Sequence, residues 1–238
     1  MKISILIPTF NNLSYLKFFL NSLKKNSLFK HEIVIHVNDG SDGTLDFVKK
    51  SNFKFTHSKE NIGLCSSMNN AYKLSTSDFL LYAHDDMYFC KNWDKYLIDE
   101  INKQKNNFYY LSGTNVSTRF GLINYNCGDT LENFDENKFL KFCIDDNTPD
   151  LQSSHWAPHL IHRELWDKIG GFSEEFNPGD GSDPDFCMKL WLENVRIFKG
   201  ISKFKVYHFN SLTTRNNKVT LNNGTKIFLL KYGFNPKF

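Results

Sequence analysis

The sequence lacks the features that would place it in a specialised class of protein. It has 5 cysteines among 238 residues, and none form a C-x-x-C pair. This odd, scattered set indicates reduced thiols rather than a disulfide framework, and it favours a cytoplasmic protein. No apolar run approaches the roughly 20 residues of a membrane-spanning helix, although contact with a membrane surface stays open. The formal net charge is only +3, so there is no concentrated basic face of the kind that binds nucleic acid.

Strand-like and helical segments alternate in the first part of the chain. Apolar runs predict strands over residues 2–7, 31–37, 53–57 and 78–83, and helical spacing predicts helices over about 13–25, 44–50 and 64–74. The first apolar run is too short for a signal peptide and is closed by Pro8, so we interpret it as a strand. This alternation is typical of parallel β-α-β units.

The pattern becomes less regular after residue 101. We expect strands over 108–112, 120–125, 156–162 and 204–209, and helices over 93–101, 164–169, 183–193 and 225–232, with a further helix near 135–143. No repeat and no Gly/Ser-rich linker divides the chain. We therefore expect one domain over 1–238, with a nucleotide-binding half (1–110) and an acceptor-binding half (111–238).

One stretch combines an imidazole with two carboxylates at the end of a predicted strand. His84-Asp85-Asp86 directly follows the apolar segment that ends at Ala83. Unpaired acids are costly inside a buried strand, but open α/β sheets bind ligands at the C-terminal ends of their strands. Carboxylate oxygens beside an imidazole suit Mg²⁺ or Mn²⁺. The alternative is a solvated helix N-terminus, where acids are also favoured.

Six motifs in order resemble those of the GT-A glycosyltransferases, most closely the inverting enzymes of family 2. They are the opening strand Ile3–Asn11, the loop Val37–Thr44 (family pattern DDGSxDGT), Asn61-Ile62-Gly63 with Asn69, His84-Asp85-Asp86 at the D-x-D position, Gly170–Glu174 (GGFDE), and Ser182–Phe186 (EDxDL). The resemblance covers nearly the whole chain. It implies an α/β GT-A fold, Rossmann-like in binding nucleotides, with a mostly parallel central sheet flanked by helices.

The resemblance also implies roles for individual residues. The residues that would bind the nucleotide are Pro8, Thr9, Asn11, Asp39, Asn61, Gly63, Asn69, His84 and Asp85. Asp86 and His208 would be metal ligands, and Asp183 would be the general base. Asp185 would contact the acceptor, and Arg215 would contact the diphosphate. Asp39 would accept a hydrogen bond from the imide of uracil or thymine. In an inverting transfer, Asp183 would deprotonate the acceptor hydroxyl as the anomeric carbon is attacked.

Plainer structural roles compete with several of these assignments. Asp39 could simply cap a turn or helix, and Asp183 could cap the helix that Pro184 begins. His208 could be a packing residue, and Arg215 a solvated surface residue.

A second group of histidines surrounds Trp156. His155, His159 and His162 do not have the spacing of a recognised zinc site, and strand alternation divides them between two faces. We expect Trp156, with His159, to face the acceptor, because an exposed aromatic ring stacks well on a sugar. Most of the group should be ordinary packing.

The complete hypothesis is a metal-dependent, inverting glycosyltransferase that uses Mn²⁺ or Mg²⁺. It would move one sugar from a nucleotide diphosphate, expected to be UDP, to a hydroxyl of a glycan or glycolipid. Met68 stands where many relatives have Arg, and the Q-x-x-R-W motif of processive synthases is absent. One rival is a sugar nucleotidyltransferase, which would usually have a Gly-rich N-terminal loop. The other is a non-catalytic carbohydrate-binding protein on a degenerate GT-A fold. The departures from the family pattern at His84 and Met68 are the only features that favour it.

Overall fold

The computed structural model describes residues 1–210 and 219–235. In the first part of the chain, strands and helices alternate as expected: β1 Ile3–Phe10, α1 Leu13–Asn26, β2 Glu32–Asn38, α2 Thr44–Lys49, β3 Lys54–Ser58, α3 Leu64–Tyr72 and β4 Phe79–Tyr82. These four strands pair in parallel in the order β3-β2-β1-β4. Their C-terminal ends therefore meet at one edge of the sheet.

The remaining elements complete the sheet and its flanking helices. They are β5 Met87–Phe89, α4 Trp93–Ile101, β6 Tyr109–Ser117, β7 Ile123–Asn124, α5 Glu136–Asp145, β8 Leu151–Gln152, β9 His159–His162, α6 Arg163–Ile169, a 3₁₀ turn Glu174–Phe176, α7 Ser182–Leu192, β10 Ile197–His208 and α8 Gly224–Tyr232.

Ten strands of the described chain form one sheet in the order β3-β2-β1-β4-β9-β6-β10-β5, with β7 beside β6 and β8 beside β10. Parallel pairing continues between β6 and β10, while β9 and β5 add antiparallel pairings. The α/β fold with a central sheet and flanking helices is thus confirmed. The sheet takes strands from both the 1–110 and the 111–238 portions of the chain.

The strand that carries His208 is longer than the sequence indicates. β10 begins at Ile197 rather than near residue 204, and its register against β6 shifts between Ile201 and Lys205. This irregularity interrupts the apolar alternation, which explains why only its second half is recognisable. β5 has 3 residues and β8 has 2, too few for a periodic signal.

The core lies on both faces of the sheet. Ile3, Leu6 and Ile7 of β1 are fully buried, as expected for a central parallel strand. Many aromatic residues pack there too; Trp93, for example, contacts Phe89 with ring centroids 4.9 Å apart. Within 1–210 and 219–235, we find no helix of the length and apolarity that crossing a membrane requires.

Candidate active site

A cleft opens at the C-terminal ends of β1, β2 and β4, where the sequence predicts nucleotide binding. The residues that line it are Pro8, Thr9, Phe10, Asn38, Asn61, Gly63, Leu64, His84, Asp85, Asp86, Pro178, Val219 and Leu221. Six of the predicted nucleotide-binding residues are among them: Pro8, Thr9, Asn61, Gly63, His84 and Asp85. Residues from distant parts of the sequence therefore share one cavity.

Hydrogen bonds of two polar side chains connect the segments that form the base of this cleft. The Thr9 hydroxyl donates a hydrogen bond of 2.6 Å to Asp85 Oδ2, which joins the end of β1 to the end of β4. The buried Asn38 amide donates to the Ser67 hydroxyl at 2.9 Å, and its Oδ1 accepts from the Ile62 amide at 2.9 Å. Asn38 is thus a cleft residue that links β2 to α3.

Asp39 and Asn11 are not among the described residues that line the cleft; they contact each other next to the end of β2, and their nucleotide contacts stay predictions. The Asn11 side-chain amide donates to Asp39 Oδ2 at 2.8 Å, and Asn11 Oδ1 accepts from the Gly40 amide at 2.9 Å. The Asn11 hydrogen bond holds the pKa of Asp39 below its ordinary value, so the carboxylate is charged at neutral pH. Asp39 also caps its own turn, because its Oδ1 accepts from the Ser41 amide at 3.2 Å. Helix starts are capped by Asp42, whose oxygens accept from the amides of Leu13 and Thr44.

Gly63 is where the cleft meets the second half of the chain. It adopts a left-handed φ of 84°, and a Cβ there would collide with the Asn177 side chain. Asn177 Oδ1 accepts from the Cys65 amide at 3.0 Å, and the Pro178 carbonyl accepts from the Leu64 amide at 3.0 Å. The segment around Asn177 therefore caps α3.

Asn69 and Met68 lie elsewhere on α3. The Asn69 side chain exchanges two hydrogen bonds of 2.9 Å with the Phe172 backbone, which fixes the Gly170–Glu174 loop against the helix. Its predicted nucleotide contact stays a prediction, and it is not among the described residues that line the cleft. Met68 is fully buried, so its side chain packs in the core.

An imidazole–carboxylate cluster lies at the edge of the cleft. His84 Nδ1 and His208 Nε2 are 3.3 Å apart, and His208 Nε2 is 3.0 Å from Asp86 Oδ1. The potential ligand atoms of these three residues lie within 4.8 Å of one another. Asp86 Oδ1 is buried, and although His208 is at ion-pair distance, no described atom completes a hydrogen bond to it. An unsatisfied buried oxygen beside two imidazoles suits a divalent cation.

The protonation states of Asp86 and His84 also suit the binding of a divalent cation. Burial raises the pKa of Asp86, but the electrostatic attraction of His208, followed by that of His84, contributes to a net lowering of the pKa. Burial, reinforced by His208, lowers the pKa of His84 to about 4. At neutral pH Asp86 is therefore an anion and His84 a neutral imidazole, which are the forms that bind metals.

Asp183 is the second residue of α7 and is partly exposed. Its Oδ1 is buried and has no hydrogen-bond partner in the described chain. Burial raises the pKa of Asp183 to about 7, and nearby His208 moderates the rise. This oxygen accepts no described helix amide, so it does not support the alternative in which Asp183 caps the helix. The neighbouring Ser182 hydroxyl donates to the Gly179 carbonyl at 2.7 Å. Asp183 can thus accept a proton near neutral pH.

The other predicted site residues occupy different surroundings. Asp185 is fully buried, and its Oδ1 binds Lys231 and the Tyr232 hydroxyl, each at 2.8 Å. Trp156 is 45% exposed and packs edge-on against His155. Their acceptor contacts stay predictions. Arg215 lies outside the described residues.

A second cavity is lined in part by His208, whose Nε2 is 3.0 Å from Asp86 Oδ1 of the cleft. Its lining residues are Thr118, Arg119, Phe120, Gly128, Asp129, Thr130, His208, Phe209 and Asn210. Phe120 is 72% exposed, which is unusual for a large aromatic side chain. No sequence motif indicates this cavity, because its walls come from irregular segments that are brought together by the β6–β10 pairing and by hydrogen bonds of Tyr207 to Thr118 and Gly128.

Several cleft residues were missed at the level of sequence. Asn38 occupies the first acidic position of the DDGSxDGT pattern, so that motif contained a usable signal. Phe10 and Leu64 adjoin predicted site residues. Pro178, Val219 and Leu221 carry no signal of their own, because long-range packing brings them to the cleft.

Comparisons with known proteins agree with this architecture. The family model described as "Glycosyl transferase family 2" matches residues 4–170, which include β1 to β9 and the His84-Asp85-Asp86 stretch. No protein of curated function is similar enough in sequence to match.

Solved structures share the fold at low sequence identity. TarS 1–349 of S. aureus is 22% identical with a TM-score of 0.65, covering 91% of this chain and 63% of that one. TarS 1–349 in complex with UDP-GlcNAc is 20% identical with a TM-score of 0.68, covering 97% and 65%. GalNAc-T7 with UDP, GalNAc and Mn²⁺ is 16% identical with a TM-score of 0.66, covering 94% and 45%. The present chain therefore spans less than two thirds of the length of these chains.

The predicted GT-A fold is confirmed by these similarities. The family model extends over most of the sequence and includes the strands whose ends build the cleft. The chain belongs to glycosyl transferase family 2.

Proposed function

We propose that the protein is an inverting glycosyltransferase that moves one sugar from a nucleotide diphosphate, UDP in particular, to a hydroxyl of a glycan or glycolipid. The observation that carries this proposal is the shared cleft, in which Thr9, Gly63 and Asp85 from three separate motifs line one cavity. Family membership and neighbours whose structures contain UDP or UDP-GlcNAc support it.

The nucleotide would occupy the cleft at the ends of β1, β2 and β4. The charged Asp39 carboxylate, oriented by Asn11, would accept a hydrogen bond from the imide N–H of uracil. Adenine has no ring N–H on its Watson–Crick edge, so this contact favours uracil over adenine. Asn38 and Gly63 would hold the surrounding backbone in place.

The diphosphate would lie beside Asp86 and His208, which would hold a Mn²⁺ or Mg²⁺ ion. Such an ion, when bound, offsets the negative charge that develops on the departing diphosphate. GalNAc-T7, whose structure contains Mn²⁺, supports a divalent metal. Asp86 supplies a charged oxygen for this task because His208 keeps its pKa low.

The acceptor would enter through the second cavity and be deprotonated by Asp183. A carboxylate with a pKa of about 7 takes a proton from a hydroxyl more readily than an ordinary aspartate does. The exposed Phe120 ring offers a face on which a sugar can stack. Both cavities border His208 or its neighbours, so donor and acceptor would meet there.

Titration calorimetry of the protein with UDP, with and without Mn²⁺, tests the donor part of the proposal. We expect binding that Mn²⁺ strengthens, and weaker binding of ADP. The Asp183→Asn variant should lose about 1,000-fold or more in transfer rate while it retains UDP affinity, because an amide cannot act as a base. Asp99→Asn, which changes an exposed acid on α4, is the matched control. A failure to bind any nucleotide, whichever divalent metal is added, would refute the proposal.

The carbohydrate-binding alternative gives a different result in the same assays. A protein without catalytic chemistry would bind UDP or a glycan but would not hydrolyse the donor slowly in the absence of acceptor. The raised pKa and unpartnered Oδ1 of Asp183 favour the enzyme, since neither is useful for binding alone. The nucleotidyltransferase alternative would instead form a nucleotide sugar from UTP and a sugar phosphate.

A further inference from the structure

An apolar groove lies at the opposite end of β2 from the active-site cleft. Its walls come from β1, α1, α2 and the segments that lead into β2 and β3. The apolar side chains that line it include Leu20, Leu23, Leu28, Phe29, Phe47 and Phe53. Lys24 and Lys30 line it too, whereas no carboxylate of the described residues does. The groove therefore combines apolar surface with positive charge, and it contains none of the residues assigned to sugar transfer.

Leu28 and Phe29 form the solvent-facing part of this groove. Leu28 is 55% exposed and Phe29 is 47% exposed, although both are large apolar side chains. A single exposed apolar residue is ordinary in a folded protein, but adjacent ones that continue an apolar groove are typical of an interaction site. These two residues are therefore the expected point of contact with a partner.

The loop between α1 and β2 holds these two residues in a fixed position. The carboxylate of the fully buried Asp94 accepts hydrogen bonds from the Leu28 and Phe29 amides, each at 2.8 Å. The same carboxylate lies 3.0 Å from His31 Nε2. The backbone of the loop is thus attached to α4, while the two apolar side chains stay in solvent. Binding through them would require little further ordering of the loop, which favours affinity.

The positive charge around the groove comes from separate parts of the chain. Lys24 and Lys30 are exposed, and neither forms an ion pair with another described residue. Lys17 Nζ lies 5.1 Å from the centroid of the Phe47 ring, which is part of the wall. The helix dipole favours lysines at the end of α1, which accounts for Lys24 but not for Lys17 or Lys30. The fold thus gathers a concentration of charge that the net charge of +3 does not reveal.

We propose that this groove binds the surface of an anionic lipid bilayer, with Leu28 and Phe29 inserted among the headgroups and the lysines facing the lipid charge. Lysines close to a membrane are attracted to anionic lipids, and apolar side chains add binding by leaving water. Each signal alone gives weak attachment, and the two together give stable attachment. The inference goes beyond the proposed function and does not depend on it.

Attachment through the groove leaves the active site open. Ile33 lines the groove and Asn38 lines the cleft, at opposite ends of β2. Five residue steps along a strand separate them by roughly 17 Å. The cleft therefore stays outside the contact with the bilayer and remains accessible to a water-soluble nucleotide.

Co-sedimentation of the protein with lipid vesicles tests this inference. One set of vesicles contains phosphatidylcholine alone, and the other contains about 30% phosphatidylglycerol in phosphatidylcholine. We expect a partition coefficient at least about tenfold higher for the anionic vesicles, and a fall of at least about fivefold when NaCl is raised to about 0.5 M. The double variants Leu28→Ser/Phe29→Ser and Lys24→Gln/Lys30→Gln should each lower the partition coefficient about tenfold.

Ile144→Ser is the matched control, because Ile144 is 79% exposed but is followed by Asp145 and Asp146. It should change the partition coefficient by less than about twofold. Circular dichroism and thermal melts should be the same for all variants, which separates lost vesicle binding from lost folding. Equal binding of the wild type to both kinds of vesicle, no binding to either at low salt, or an equal loss in Ile144→Ser would overturn the proposal.

A second copy of the chain is the competing occupant of the groove. Sedimentation velocity over a range of protein concentrations distinguishes it from a bilayer. We expect the wild type to remain monomeric without vesicles. Self-association that Leu28→Ser/Phe29→Ser abolishes, together with an absence of vesicle binding, would overturn the proposal and assign the groove to a protein–protein contact.

Discussion

Lys231 Nζ and Asp185 Oδ1 form an ion pair of 2.8 Å that joins the last described helix to the helix carrying Asp183. The Tyr232 hydroxyl binds the same carboxylate, and the Gly224 amide donates to Asp180 just before α7. Asp185 is fully buried, so these partners replace the water that its carboxylate loses on folding. The helix α8 therefore supports the start of α7 rather than merely following it.

We expect Lys231→Met to destabilise the protein by about 2 kcal/mol, because it leaves the Asp185 charge buried with a single hydroxyl partner. Urea unfolding followed by circular dichroism measures this loss. Lys226→Met, on the exposed side of the same helix, is the control and should change stability by less than about 0.5 kcal/mol. Equal effects of the two variants would mean that the ion pair contributes nothing.

Asp185→Asn separates a structural role from the acceptor contact that the resemblance implies. If the ion pair is its main role, melting temperature falls and the acceptor KM of the surviving enzyme stays within about twofold. An acceptor KM raised about tenfold or more at unchanged melting temperature would establish acceptor contact instead.

The transfer rate should rise with pH through about 7. A general base must be deprotonated, and burial raises the pKa of Asp183 to about 7, so below that pH most of the enzyme carries a protonated, inactive Asp183. The pH profile of kcat/KM at saturating Mn²⁺ measures this. A profile that is flat between pH 5.5 and 8 would contradict the assignment.

The raised pKa of Asp183 also makes the stability of the folded protein depend on pH. Because the folded pKa of Asp183 lies above its ordinary value of 3.8, the protonated form is favoured by folding, and stability is lost as pH rises from about 4 to 7. Asp183→Asn removes this penalty, so the variant should be about 1 kcal/mol more stable than the wild type at pH 8 and little different at pH 4. Thermal melts at the two pH values provide the comparison.

Gly63→Ala should weaken both folding and nucleotide binding. An alanine at φ 84° is strained, and its Cβ would displace the Asn177 side chain that caps α3. We expect a loss of about 2 kcal/mol in unfolding free energy together with weaker UDP binding. Gly233→Ala, at a similar φ of 82° with open space around it, isolates the backbone strain and should cost only about 1 kcal/mol.

Much of the first half of the fold was predictable, because β1, β2 and β4 are buried parallel strands with nearly continuous apolar sequences. Thr9, Asp85 and Asp86 could be located for a related reason: polar residues that follow such strands stand out. The position of His208 beside His84 could not be derived, since it depends on the shifted register in β10. The capping of α3 by Asn177 likewise arises from packing between distant segments and leaves no local pattern.

The stretch between β4 and β5 has a bearing on the order in which the chain folds. β4 pairs with β1 and β9, whereas β5 pairs with β10 at the other end of the sheet. On its C-terminal side this stretch leads into β5, which is hydrogen-bonded to the early helix α1 through Ser22 and Asn26, but whose strand partner β10 is synthesised more than a hundred residues later. A nascent chain could assemble β1 to β3 early, but contacts of such long sequence separation form late. The cluster of His84, Asp86 and His208 would thus be completed only after β10 has been synthesised, so a nascent chain that has not reached β10 would lack it.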